Sequence, residues 1–333
     1  MNNITKKLSS FFSSNFFEKY GVFGVVILMM IIIAYLQPEV FLSVQNLTNI
    51  LRQTAMNALL ALGLFLVIVT AGIDLSVGSI LALSIMLLTL ADIAGWPWPI
   101  VILIGPAVGT FIGMINGLGL TVLRLPHPFI MTLGTLYSVR GITNLITGGR
   151  PVTGVSNEIR FLGAGEIPIP GLGPFGSIPV SALVVFISYG VIAFFLSRFA
   201  TGRHIFAVGG NPQAARVSGI NVDRILLLVY ALSGFFAGLA ALLMAGRTGS
   251  GFPNAGIGAE LDAIAAVIIG GASFFGGRGT VLGVFAGVLV MGLLRNGLNL
   301  MNVSAFWQQT LIGIIVIAAV YVDVLRRKSG NRA

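Results

Sequence analysis

The chain has 333 residues, of which 56% are hydrophobic and 9% charged, with 44 glycines, no cysteine and a net charge of +9. Soluble domains carry roughly a quarter charged residues, so a water-facing shell is missing and the bilayer is the expected solvent. The lack of cysteine excludes disulfides, thiolate metal sites and thiol nucleophiles, and the basic excess points to loops on one side of a membrane rather than to nucleic acid.

The N-terminal segment 1–20 mixes Lys6, Lys7 and Lys19 with Phe11, Phe12, Phe16 and Phe17. Such a segment is suited to lie along the cytoplasmic interface. The apolar run 21–36 has the charged start of a signal peptide. Gln37-Pro38-Glu39-Val40-Phe41 offers no small-x-small cleavage site, so the run reads as a retained first span.

A span needs about 20 mostly apolar residues. Ten candidates follow in order: 21–37, 53–72, 76–93, 98–123, 128–147, 179–197, 224–246, 260–273, 279–297 and 306–324. Only Gly72-Ile73-Asp74-Leu75 separates the second from the third, and the eighth is short. Both places are candidates for broken or re-entrant helices. The expected fold is all-α and polytopic, a single transmembrane domain over 21–325 with a tail at 326–333.

Charge sets the orientation. With the N-terminus inside, thirteen of the nineteen Lys and Arg fall in inner segments, as the positive-inside rule requires. Both termini are then cytoplasmic, segment 198–224 is internal, and Trp96 and Trp98 sit at the outer interface. Segment 148–178 is external. With Pro151, Pro168, Pro170 and Pro174 it cannot be one helix; it is either a tolerated loop or a docking surface.

An internal repeat is visible. Gly105, Gly109, Gly113 and Gly117 recur every four residues in the fourth span, as do Gly279, Gly283 and Gly287 in the ninth. Each series makes a smooth strip for close helix approach. An Asn-Gly pair follows in each, Asn116-Gly117 and Asn296-Gly297. Two such strips five spans apart imply duplicated halves, inverted in the membrane.

Polar residues inside spans are costly. Asp74 is expected to accept from backbone N–H groups at the start of the third span; the alternative is a gate or pathway role, for which Ser76, Asn116, Asn296 and Asn299 are further candidates. Glu260 and Asp262 suit the N-terminal dipole of the eighth span. Arg140, at a cost of about 2.5–3.5 kcal/mol at helix centre, is expected to snorkel outward or meet a carboxylate, ahead of any substrate contact. His127 and His204 stand alone, so no metal or cofactor is expected. Ser76, Ser84 and Ser233 show no His–carboxylate arrangement, so no catalytic residue is assigned.

The stretch AVGGNPQAARVSGINV, residues 207–222, interrupts this apolar pattern. Asn211 is a good N-cap, Pro212 fits the first helical position and Gly219 supplies a stop. About two turns, roughly 10 Å, result. Small Ala214 and Ala215 make a smooth knob and Arg216 supplies charge. Such a helix is either a linker or a lever gripped by a soluble partner, and the turn Gly276-Gly277-Arg278-Gly279 falls on the same side.

Gln213-Ala214-Ala215-x-x-x-Gly219 resembles the EAA---G coupling loop of ABC importer permeases, with Gln213 where the general motif has Glu. Gly72-Ile73-Asp74-Leu75-Ser76-Val77-Gly78-Ser79, the run 260–266 continuing to Ile269-Gly270-Gly271, residues 222–230, and Asn296-Gly297-Leu298-Asn299-Leu300 are similar to motifs of the ribose-type sugar importer permeases, in the same order. The resemblance covers roughly 45–325. It implies a homodimer in the bacterial cytoplasmic membrane, a cytoplasmic ATP-binding subunit, an extracytoplasmic sugar-binding protein and a monosaccharide such as ribose, allose, xylose or galactose. It assigns Asn211, Gln213, Ala214, Ala215, Arg216 and Gly219 to coupling with the ATPase. No GxxxxGK[ST] occurs in the chain, so ATP is bound by a partner. The rival readings are an ion-coupled sugar transporter, which needs more charge in its core than is present, and a receptor or scaffold.

Overall fold

The computed structural model describes residues 14–168 and 176–330; Lys6, Lys7, Phe11, Phe12, Pro170, Pro174 and the last three residues lie outside this range. Along the chain run α1 (Ser14–Leu36), α2 (Val44–Val69), α3 (Val77–Ile93), α4 (Trp98–Thr121), α5 (Pro128–Thr147), β1 (Val152–Thr153), α6 (Asn157–Ala164), β2 (Glu166–Pro168) and β3 (Ser177–Pro179). There follow α7 (Val180–Arg198), α8 (Ala200–Gly210), α9 (Pro212–Val217), α10 (Val222–Thr248), β4 (Ser250–Gly251), α11 (Ala259–Ile269), α12 (Val281–Leu300) and α13 (Ala305–Gly330). Among the described residues the fold is all-α apart from two tiny antiparallel pairs, β1 with β4 and β2 with β3.

By length and composition α2, α4, α7, α10 and α12 can each cross a membrane, and α1, α3 and α13 contain shorter apolar segments. The ten expected spans are recovered as helices, with changed bounds. The second begins at Val44, not 53, because Ser43 Oγ accepts from Asn46 N and starts the helix early. The first begins at Ser14, so residues 14–20, read as an interfacial segment, continue into α1. The eighth is only the eleven residues of α11.

Helix α2 is the centre of the bundle: every residue from Ala58 to Thr70 is buried. Helix α4 lies on α10 by its glycine strip. A Cβ on Gly109 would stand 2.0 Å from the Gly234 carbonyl oxygen, and one on Gly113 2.2 Å from that of Tyr230. The second strip meets a different helix. Gly283 and Gly287 of α12 abut the carbonyls of Gly270 and Ala266 at the end of α11. Gly279, expected to continue that strip, precedes the helix, whose N-cap is Thr280.

The packing repeats between the halves. α4 and α5 both pack on α3, and α4 also on α10; α12 and α13 both pack on α11, and α12 also on α2. Helices α2 to α5 therefore correspond to α10 to α13. At the centre of this relation two helix starts meet: a Cβ on Gly78 in α3 would stand 2.3 Å from the Gly256 oxygen, just before α11. The loop 249–258 thus reaches to the first turn of α3, and the shortness of α11 follows, since its start is displaced into the bundle.

The segment expected to be a loop at 148–178 carries structure over its described part. Helix α6 is pressed on the end of α10, Gly163 fitting against Leu243 O and the Gly246–Arg247 peptide. Asp92, at the end of α3, holds Ser156 ahead of α6 by accepting from its N–H at 2.7 Å and its Oγ at 2.8 Å.

Candidate functional sites: a buried polar crossing and a capped surface helix

The break between α2 and α3 is built around Asp74, which is fully buried. Its Oδ1 accepts from Ser76 N at 3.0 Å and Ser76 Oγ at 2.6 Å, and its Oδ2 from Ser233 Oγ of α10 at 2.9 Å. Ser76 Oγ accepts from Asn116 Nδ2 of α4 at 2.8 Å, and Asn116 Oδ1 from Thr135 Oγ1 of α5 at 2.6 Å. The carboxylate at the end of this chain is met by three donors. A buried carboxylate lacking such partners costs far more than a neutral group. The backbone is held too: Ile73 O accepts from Tyr230 OH at 3.2 Å and Thr132 Oγ1 at 3.3 Å.

Asp74 therefore accepts one backbone N–H, but from Ser76, on which α3 opens, rather than from inside the first turn. Ser76 itself makes no side-chain cap bond. Of the pathway candidates, Asp74, Ser76 and Asn116 come together here and Asn296 does not. Asn296 forms a reciprocal amide pair with Asn46 at the start of α2, at 2.8 and 3.2 Å. Asn299 is exposed and accepts from Gln308 Nε2 at 2.7 Å.

Arg140 makes no direct ion pair, but has the Glu260 carboxylate within its electrostatic reach, as expected. Its Nη1 donates to the carbonyls of Pro253 and Ala255 at 2.6 and 2.8 Å, pinning the inward loop 249–258 to α5. Glu260 lies over the first turn of α3, its Oε2 2.5 Å from where a Gly78 Cβ would stand. Asp262 forms an ion pair with Arg295 of α12. The sequence offers Ser233 only as a nucleophile candidate; its role as a donor to Asp74 is not legible there because the two stand 159 positions apart.

The second site is α9, capped at both ends. Asn211 Oδ1 accepts from Gln213 N and Ala214 N, each at 3.0 Å. Gly219, at φ +83°, lets its own N–H reach Arg216 O and lets Ile220 N reach Ala215 O, the Schellman arrangement. Ala215 is the buried anchor, while Gln213, Ala214 and Arg216 are exposed. Val217, which sequence reasoning missed, is 92% exposed and forms the apolar tip. Arg216 pairs with Asp223 at 3.1 Å, and Arg124 from the α4–α5 loop pairs with the same carboxylate at 3.0 Å. Asp223, also missed, thus ties α9 to the start of α10. Helix α8 ahead of α9 was not foreseen. His127 caps α5 through Nδ1 at 3.2 Å from Phe129 N. Among the described residues no cluster could hold a metal ion.

A polytopic bundle with a broken helix at its core and a rigid helix projecting from one end has the construction of a transporter's membrane component. The comparisons give that class its family: residues 46–320 match the branched-chain amino acid transport system / permease component family. The chain belongs to this family of permeases, and it is a transport component rather than an enzyme. It is 42% identical to the ribose import permease protein RbsC of Bacillus subtilis, over 94% of each chain. It is 41% identical to the D-allose transport system permease protein AlsC of Escherichia coli, over 94% of each. With the galactose/methyl galactoside import permease protein MglC of that organism the identity is 40%, over 92% of this chain and 95% of the relative. No solved structure matches the chain.

Proposed function

We propose that this chain is the permease of an ATP-driven importer for a monosaccharide, working as a homodimer in the bacterial cytoplasmic membrane with both termini inside. The observation that carries the reading is α9: a helix fixed by caps at both ends, anchored by Ala215, and offering Gln213, Ala214 and Val217 outward. A soluble ATP-binding subunit gripping this knob moves α9 and α10 together, because Arg216 and Asp223 join them. The relatives named for ribose, allose and galactose support a sugar over a branched-chain amino acid as cargo.

The opposite end of the bundle is the docking face for an extracytoplasmic binding protein. Helix α6 offers Arg160 and half-exposed Phe161 there, braced on α10. Helix α5 lines the pathway between two copies. Its outward side sets Gly134, Ser138 and Gly141 among exposed Ile130, Tyr137 and Leu145, with no neighbour within 4 Å of either glycine position; the small residues leave room for a second helix to approach closely. Asp74, Ser76 and Asn116 act as the hinge of the gate, and Asn296 and Asn299 fix the other half, rather than binding sugar.

The test is co-purification of the ATPase with Gly219→Pro and Ala215→Glu. Both variants are expected to insert normally and to lose the ATPase. Normal co-purification with both contradicts the coupling role.

A further inference from the structure

Three segments meet in backbone contact beside α9. They are the end of α2 at Val69–Ala71, the end of α8 at Gly209–Gly210, and the turn 276–277. Gly277 N donates to Val69 O at 2.8 Å. Gly209 presses on the same carbonyl so closely that a Cβ there would stand 1.7 Å from Val69 O and 2.8 Å from Gly277 N. A Cβ on Gly276 would meet Gly209 O at 2.7 Å and Ala71 N at 2.8 Å. The turn is itself fixed: Asp323 of α13 accepts from Ser273 Oγ at 3.1 Å and Phe274 N at 3.0 Å, and Ser273 N donates to Arg278 O at 3.1 Å.

Position along the chain gives this knot its meaning. Gly209 is two residues from Asn211, the cap of α9, and Val69 is five residues from Asp74. Between them Ala71, at φ +60°, closes α2, with its N–H donating to Ile68 O and that of Gly72 to Val67 O. The packing tolerates no slack, since interiors at this density pass displacement on rather than absorb it.

We propose that Gly209 is a positioning residue for coupling: with Gly277 it clamps the Val69 carbonyl, so that displacement of α9 is delivered directly to the 70–76 break and Asp74. This rests on α9 being the ATPase contact. The clamp acts without a side chain, because only bare backbone lets three segments approach so closely.

The experiment uses the complete importer in liposomes, with ATPase and binding protein. In Gly209→Ala the ATPase is expected to co-purify at normal stoichiometry and hydrolyse ATP at its basal rate. Stimulation by loaded binding protein is expected to disappear and uptake to fall at least tenfold. Gly190→Ala, on α7 at a position with nothing within 4 Å, serves as control and keeps wild-type uptake. A reporter independent of variant folding uses the otherwise wild-type chain: since it has no native cysteine, Leu75→Cys provides a single thiol at the break. Its maleimide labelling rate is expected to change when a non-hydrolysable ATP analogue binds, and in the Gly209→Ala background to stay constant. Normal uptake by Gly209→Ala, loss of ATPase together with uptake, or an unresponsive thiol in the wild-type background overturns the clamp. Failure of Ala215→Glu to release the ATPase overturns instead the coupling reading beneath it.

Discussion

Ser233 Oγ lies 2.9 Å from Asp74 Oδ2 and joins the middle of α10 to the break between α2 and α3. Because α10 begins beside α9, this hydrogen bond, with that of Tyr230 OH to Ile73 O, links the helix behind the surface knob to the core. A buried donor left without its acceptor costs about 1–3 kcal/mol. Asp74→Ala leaves Ser233 and Ser76 without their acceptor and is expected to destabilise by roughly 3 kcal/mol or more. Asp74→Asn, which keeps one acceptor oxygen, costs about half of that. Thermal unfolding in detergent checks the order, and equal melting of both variants and wild type contradicts the network.

The α4–α10 crossing is governed by bare backbone. Gly109→Leu forces a side chain into the space of Gly234 O, 2.0 Å from the first added atom. Overpacking a tight core costs about 1–3 kcal/mol or more, so the variant is expected to melt lower or fail to accumulate. Gly141→Leu on α5 meets nothing within 4 Å and is expected to fold normally while impairing uptake. Uptake and melting measured on both separate packing from passage.

The Asn46–Asn296 pair closes the second half on the start of α2. A double-mutant cycle with leucine at both positions is expected to show coupling of about 0.5–3 kcal/mol: Asn46→Leu strands the Asn296 amide, and Asn296→Leu leaves Asn46 only its bond to Phe41 O. Additive single effects contradict the pairing.

Loss of the Asn211 cap acts differently from loss of the knob. Asn211→Ala is expected to weaken α9 by about 0.5–2 kcal/mol, which converts to a roughly 2- to 30-fold loss of ATPase affinity. Val217→Asp abolishes the contact without unfolding the helix. Titrating the ATPase onto each variant in nanodiscs distinguishes a graded loss from a complete one.

Local chemistry explains which of these features the sequence discloses. Asn211, Pro212 and Gly219 announce α9 because caps and stops are properties of neighbouring residues. The break at 72–75 is legible for the same reason, through glycine and a carboxylate between apolar runs. The partners of Asp74 are not, because Ser233 and Asn116 reach it through tertiary packing. Arg140 illustrates the limit: its charge predicts a carboxylate, and Glu260 does act on it, yet its hydrogen bonds go to the carbonyls of Pro253 and Ala255 because the 249–258 loop folds inward. That inward fold also explains α11, whose eleven residues look too short for a span until its displaced start is known. The glycine strips foretell close packing, yet not that one faces α10 and the other α11.

The central claim is that a small helix on the inner face turns ATP-driven motion of a separate subunit into opening of the bundle. Sugar uptake into liposomes holding the purified chain, with and without ATPase and binding protein, tests it most directly. The account predicts uptake that requires both partners and ATP, persists in the presence of ionophores and vanishes with Ala215→Glu. Accumulation of sugar by the chain alone on a proton or sodium gradient would contradict it.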